Sequence, residues 1–63
     1  MFSDNLKNLR LKNRMTQKQL AQKMNVSTKT ISHWESGYSF PSVSAVKKLK
    51  KILNVTYEQL LDK

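Results

Sequence analysis

Lys29, Ser32, His33 and Ser36 are short or cationic hydrogen-bonding residues. At about 100° per residue all four share one side of a helix, with Thr28 at its flank near the start. Ile31 and Trp34 fall on the other side, where a core would hold them. A narrow face of donors and acceptors on a single helix suits the major groove of duplex DNA. That groove admits one helix and presents donors, acceptors and thymine methyls to it.

Such a face is useful only if a second element holds its helix at a fixed angle. The preceding run QKQLAQKM places Leu20, Ala21 and Met24 on one face of a helix. Ala21 supplies the small side chain that two steeply crossed backbones need where they approach. Between the two helices stands Asn25, a residue that tolerates the left-handed region, followed by Val26 as an apolar plug for the turn. The layout is a helix-turn-helix.

The remaining segments read as further helices around the same core. Ser3 or Asp4 is expected to cap a first helix running to about Asn13, with Phe2, Leu6 and Leu9 at core spacing. Thr16 with Gln19 forms a capping-box pattern for the second helix, and Ser27 is a cap for the third. The only Gly and Pro fall together in the Gly37–Pro41 loop. Pro41-Ser42 opens a fourth helix to about Leu53, with Val43, Val46, Leu49 and Leu53 inward and Lys47, Lys48 and Lys51 outward. Lys50 lies within the apolar arc and is expected to snorkel. Thr56 with Gln59 repeats the capping pattern before a short fifth helix bearing Leu60 and Leu61. Trp34, Met15 and Met24 read as core, and Phe40 as partly buried. With no strand alternation, the expectation is one all-α domain over residues 1–63.

Composition narrows the partners. Twelve Lys plus Arg against four Asp plus Glu give a formal charge of +8, and the pI of about 10.1 lies above the value of roughly 9 that marks nucleic-acid-binding domains. At this length a chain buries roughly 60% of its unfolded surface, so the core is small and each core residue counts. The absence of cysteine excludes disulfides and thiolate metal sites. There is no signal-peptide-like apolar run and nothing near the ~18 consecutive apolar residues of a membrane span. A cytoplasmic location is the expectation. One histidine, four scattered acids and no glycine-rich phosphate loop leave nothing to assemble a catalytic, metal or cofactor site. No cofactor and no small-molecule substrate are implied.

The run TQKQLAQKMNVSTKTISHWESG, followed by PS, a helix and NVTYEQLL, resembles the Cro-type or xenobiotic-response-element family of helix-turn-helix DNA-binding domains, the phage-repressor-like regulators. The likeness runs from about Asn5 to Leu61. Its markers are Leu-Ala in the second helix, Val-Ser at the turn, Ile and Trp-Glu in the third helix, Gly after it, then Pro-Ser. Asn25 stands where glycine is usual, and the Tyr38-Ser39-Phe40 loop is apolar where many relatives are basic.

The resemblance implies a compact five-helix, lambda-repressor-like domain whose third helix enters the major groove. Base-edge contacts are then expected from Thr28, Lys29 and His33, with Ser32 as a lesser candidate. Lys29 can donate to guanine O6 or N7, Thr28 can bond a base edge or touch a thymine methyl, and His33 can donate to a purine N7. Phosphate contacts are expected from Arg10, Thr16, Gln17, Ser27, Tyr38 and Ser39. Thr16 is divided between capping and phosphate contact. The Tyr38 hydroxyl is a candidate for phosphate, although a loop aromatic can also fold back on the fourth helix or meet a second subunit. Arg10 and Glu35 each lie four residues beyond a core position, Leu6 and Ile31, at the edge of the apolar face. Relatives pair such residues, so an Arg10–Glu35 ion pair is expected.

The function so implied is sequence-specific binding of double-stranded DNA by a transcriptional regulator, read as a repressor, acting as a homodimer on a pseudo-palindromic operator. Val55, Leu60 and Leu61 either meet a second subunit or close the core. An antitoxin-like protein-interaction module that also binds its own promoter is the alternative. Membrane binding through the lysines of the fourth helix is disfavoured because Val46, Leu49 and Leu53 are needed inside.

Overall fold

Hydroxyl side chains start four of the five helices in the computed structural model, which describes residues 1–63. The helices are α1 (Phe2–Lys12), α2 (Gln17–Met24), α3 (Thr28–Ser36), α4 (Val43–Leu53) and α5 (Tyr57–Leu61), with no strand. Thr16 and Thr56 each accept from the backbone N–H three residues on, while the Gln side chain there accepts from the threonine N–H, so α2 and α5 begin in full capping boxes. Ser27 caps α3 and Ser42 caps α4 in the simpler way. The first helix differs from expectation. Asn5 N–H bonds Met1 C=O at 2.9 Å, so the first turn already closes at Met1, and Ser3 and Asp4 lie inside it without capping. Asp4 still places negative charge near the positive end of the helix.

The helix ends share one device. Asn25 (φ 58°), Gly37 (φ 80°) and Asn54 (φ 55°) turn left-handed. The next N–H then reaches back across the cap: Val26 to Ala21 C=O at 3.0 Å, Tyr38 to His33 C=O at 2.9 Å and Val55 to Lys50 C=O at 3.2 Å. This is the Schellman arrangement, and it satisfies carbonyls the helix leaves open. Arg14 does the same after α1 at φ 58°, with Met15 N–H on Arg10 C=O at 3.1 Å. Glycine is the usual occupant of such a position, because a Cβ crowds the following carbonyl oxygen there, and asparagine is tolerated because its short polar side chain can hydrogen-bond locally.

The core is made by Leu6, Leu20, Ala21, Met24, Ile31, Trp34, Val46, Leu49, Leu53 and Leu60, with Phe2, Leu9, Met15, Val26, Ala45, Ile52 and Val55 packed around it. Every helix contributes. α3 packs on both α2 and α1, α5 closes on α1, and α4 rests on α2. Asn5 Nδ2 fastens α5 to α1 by donating to Leu60 C=O at 3.1 Å, and Lys48 Nζ fastens α4 to α2 by donating to Met24 C=O at 3.2 Å.

Two expectations about burial are corrected. Val43 is 76% exposed and Phe40 62% exposed. Val43 is the first residue of α4, beyond the stretch of the helix that neighbouring elements cover, and Phe40 leans on the edge of Phe2 with ring centroids 4.7 Å apart. At the other end, Leu60 is fully buried and closes the core, while Leu61 stays exposed. Lys50 runs along the surface to set its ammonium 5.1 Å from the centre of the Tyr57 ring.

Candidate nucleic-acid interface

Ile31 and Trp34 are buried, which fixes the rotation of α3 about its axis. Thr28, Lys29 and Ser32 are consequently exposed, and His33 is half-buried at the border of that face. Ala21, buried beside them, lets α2 come close to α3. A leucine there would hold the backbones apart. The donors and the cation on α3 therefore project from a helix clamped on its opposite side.

One network joins this helix to the start of α2. Arg10 Nε donates to Glu35 Oε2 at 2.6 Å and Arg10 Nη2 to Glu35 Oε1 at 3.0 Å, a bidentate pair. Arg10 Nη1 donates to Met15 C=O at 2.8 Å, and Gln17 Nε2 donates to Glu35 Oε1 at 3.1 Å. The two charged side chains are 8% and 4% exposed. Charges withdrawn from water to that degree need close partners, and here both have them. The network ties α1, the α1–α2 loop, α2 and the last turn of α3 together.

This geometry changes what two expected phosphate ligands have to offer. Arg10 is buried, with Nε, Nη1 and Nη2 all donating internally, so little of it faces outward. The Gln17 side chain is half-buried and turned to Glu35, and Gln19 and Leu20 N–H are taken by Thr16, which leaves the Gln17 and Lys18 backbone N–H groups as the open donors at the start of α2. Thr16 serves as the N-cap of α2. Its Oγ1 uses a lone pair to accept from Gln19 N–H at 3.0 Å, and its own hydrogen stays available. Ser27 is more engaged, accepting from Thr30 N–H at 3.1 Å and sharing a 2.9 Å contact with the Thr30 hydroxyl. Tyr38 and Ser39 lie exposed on the loop just past α3.

Among the contacts that spacing does not announce are Gln17 to Glu35, Lys48 to the end of α2, and a tilted stack of Tyr38 on His33, centroids 4.6 Å apart. A signal for the last one exists. A glycine in the left-handed cap sets the residue after it against the residue four before it, and those are Tyr38 and His33.

No helix is long and apolar enough to cross a membrane, and no group of three or more His, Asp or Glu side chains could hold a metal ion. A buried clamp on one side of a short helix and an uncovered polar face on the other, held at an alanine crossing, define a helix-turn-helix domain. The chain belongs to the Cro-type helix-turn-helix family: the helix-turn-helix family profile matches residues 6–60. It is 40% identical over 60 residues to the HTH-type transcriptional activator BcrR of Enterococcus faecalis, covering 95% of this chain and 29% of that protein. It is 36% identical over 58 residues to the HTH-type transcriptional regulator ImmR of Bacillus subtilis strain 168, covering 92% of this chain and 46% of the relative. With the vegetative-specific protein H7 of Dictyostelium discoideum it shares 48% identity over 42 residues, which is 67% of this chain and 40% of the other. The chain thus spans less than half the length of each of these relatives. No solved structure matches significantly.

Proposed function

We propose that the chain binds double-stranded DNA sequence-specifically and regulates transcription, with α3 in the major groove. The observation that carries this is the clamped α3 itself, with Thr28, Lys29 and Ser32 uncovered and His33 at their border. Its family membership and a charge of +8 support it. Lys29, Thr28, His33 and, to a lesser degree, Ser32 read base edges. The Thr16 hydroxyl, the Gln17 backbone N–H, Ser27, Tyr38 and Ser39 meet phosphates and set register. Arg10 acts through Glu35, holding α3 and the start of α2 in one frame.

The proposed form on DNA is a homodimer on a pseudo-palindrome with half-sites ~34 Å apart, since one such domain reads few base pairs. The exposed apolar residues Phe40, Val43, Tyr57 and Leu61 are the surface on which copies would meet. Repression is the proposed sign of regulation: a domain seated in the major groove of a promoter excludes other proteins from it. The same apolar surface also suits the alternative, an antitoxin-like protein partner. A cytoplasmic, non-enzymatic regulator fits all of these properties.

Selection of bound duplexes from a random pool tests the proposal. A defined motif is expected, and Lys29→Ala should relax it at one or two positions at a cost of roughly 1–3 kcal/mol. Recovery of unenriched sequences would overturn sequence-specific binding, and an unchanged motif in the mutant would remove Lys29 from the reading set.

A further inference from the structure

Four donors converge on the His33 carbonyl: Gly37 N–H, Tyr38 N–H at 2.9 Å, Ser39 N–H at 3.3 Å and the Ser36 hydroxyl at 3.2 Å. The left-handed turn at Gly37 (φ 80°) makes this convergence possible. It folds the loop back so that the Tyr38 ring lies against the His33 imidazole, centroids 4.6 Å apart and planes tilted by 44°. Tyr38 is itself 78% exposed, so this contact adds little to the core. Its effect falls on a side chain at the border of the α3 reading face.

We infer that Tyr38 is a positioning residue for His33, making the base preference of His33 depend on a loop side chain that does not itself read that base. An imidazole makes its hydrogen bonds through ring nitrogens in the plane of the ring. An aromatic neighbour against one face therefore leaves those edges usable while removing rotamers that would swing the ring away. The freedom lost on binding is then smaller, because part of it is already lost in the free protein. Immobilising one side chain ordinarily weakens binding about three- to tenfold, and that is the size of the advantage the stack supplies. The hydroxyl of Tyr38 is not needed for this, whereas the ring is.

This inference rests on the proposed base reading by α3, and a mutant cycle separates the two. Discrimination is measured as the affinity ratio between the selected duplex and one altered at the base pair where His33→Ala relaxes preference. Tyr38→Ala is expected to reduce that ratio about three- to tenfold, Tyr38→Phe to retain it, and Tyr38→Ala in the His33→Ala background to leave it unchanged. In the free protein, Tyr38→Ala should shift the His33 ring proton resonances and average its side-chain couplings, with the thermal unfolding transition retained. Selection of no duplex at all would sink the base reading itself. If a duplex is selected but Tyr38→Ala leaves discrimination intact, or Tyr38→Phe impairs it equally, the positioning role is wrong while the base reading stands. A His33→Ala variant with unrelaxed preference at every position would also overturn it, since there would be no contact to position.

Discussion

Arg10 and Glu35, 25 positions apart in sequence, form a bidentate ion pair that is nearly closed to solvent and joins the first helix to the last turn of the third. Gln17 shares the same carboxylate, so the start of α2 is held by the pair as well. Two elements proposed to touch DNA are thereby referenced to one buried charge.

Removing one partner leaves the other charged and unpaired inside. Arg10→Met is expected to cost about 3–5 kcal/mol, a large share of the roughly 3–9 kcal/mol available to a domain of this size. The double variant Arg10→Met/Glu35→Leu should recover most of that loss, because two apolar side chains fill the same space without a buried charge. Urea unfolding of the three proteins measures this. A single variant as stable as the parent would show that the pair is solvated and loosely held.

Arg14 holds a left-handed backbone (φ 58°) with its side chain exposed. Arg14→Gly removes the steric crowding of that conformation, about 1–2 kcal/mol, against an entropy cost of roughly 0.5–1 kcal/mol for glycine in the unfolded chain. A net gain of about 0–1.5 kcal/mol is expected on these figures. A lower thermal midpoint in the variant would contradict it.

Ala21 occupies the crossing of α2 and α3 and is buried. Ala21→Leu should destabilise by about 1–3 kcal/mol through overpacking and weaken binding to the selected duplex more than stability alone explains, because α3 is displaced from its angle. Affinity measured well below the unfolding midpoint separates the two effects. Unchanged affinity would show that the crossing is not critical.

The local features of this fold were legible in the sequence because their chemistry is local. Thr16 with Gln19 and Thr56 with Gln59 announce helix starts within four residues, and Asn25 and Gly37 announce helix ends. Leu20, Ala21, Met24, Ile31 and Trp34 reveal their common interior through spacing alone. Spacing puts Arg10 and Glu35 at the rim of an apolar face, but that they pair with each other was legible only through the family resemblance. What periodicity does not encode is which element covers a given position. Val43 has the right spacing to be buried but lies at the first residue of α4, with nothing over it. Gln17 has the right chemistry for phosphate, yet its amide is turned to a carboxylate 18 positions away. Arg14 gives no hint of its left-handed backbone, because arginine is not a residue such a cap calls for.

The central claim is that the uncovered side of α3 reads base edges from the major groove. Single 7-deazapurines placed through the selected duplex delete the major-groove N7 acceptor one position at a time, and inosine for guanine deletes only the minor-groove amino group. Titration of this chain should show affinity falling about five- to 150-fold, the equivalent of roughly 1–3 kcal/mol, at one or two deazapurine positions. Inosine should change it by no more than about twofold if minor-groove groups are not read. Losses confined to the inosine duplexes, with every deazapurine tolerated, would contradict the account.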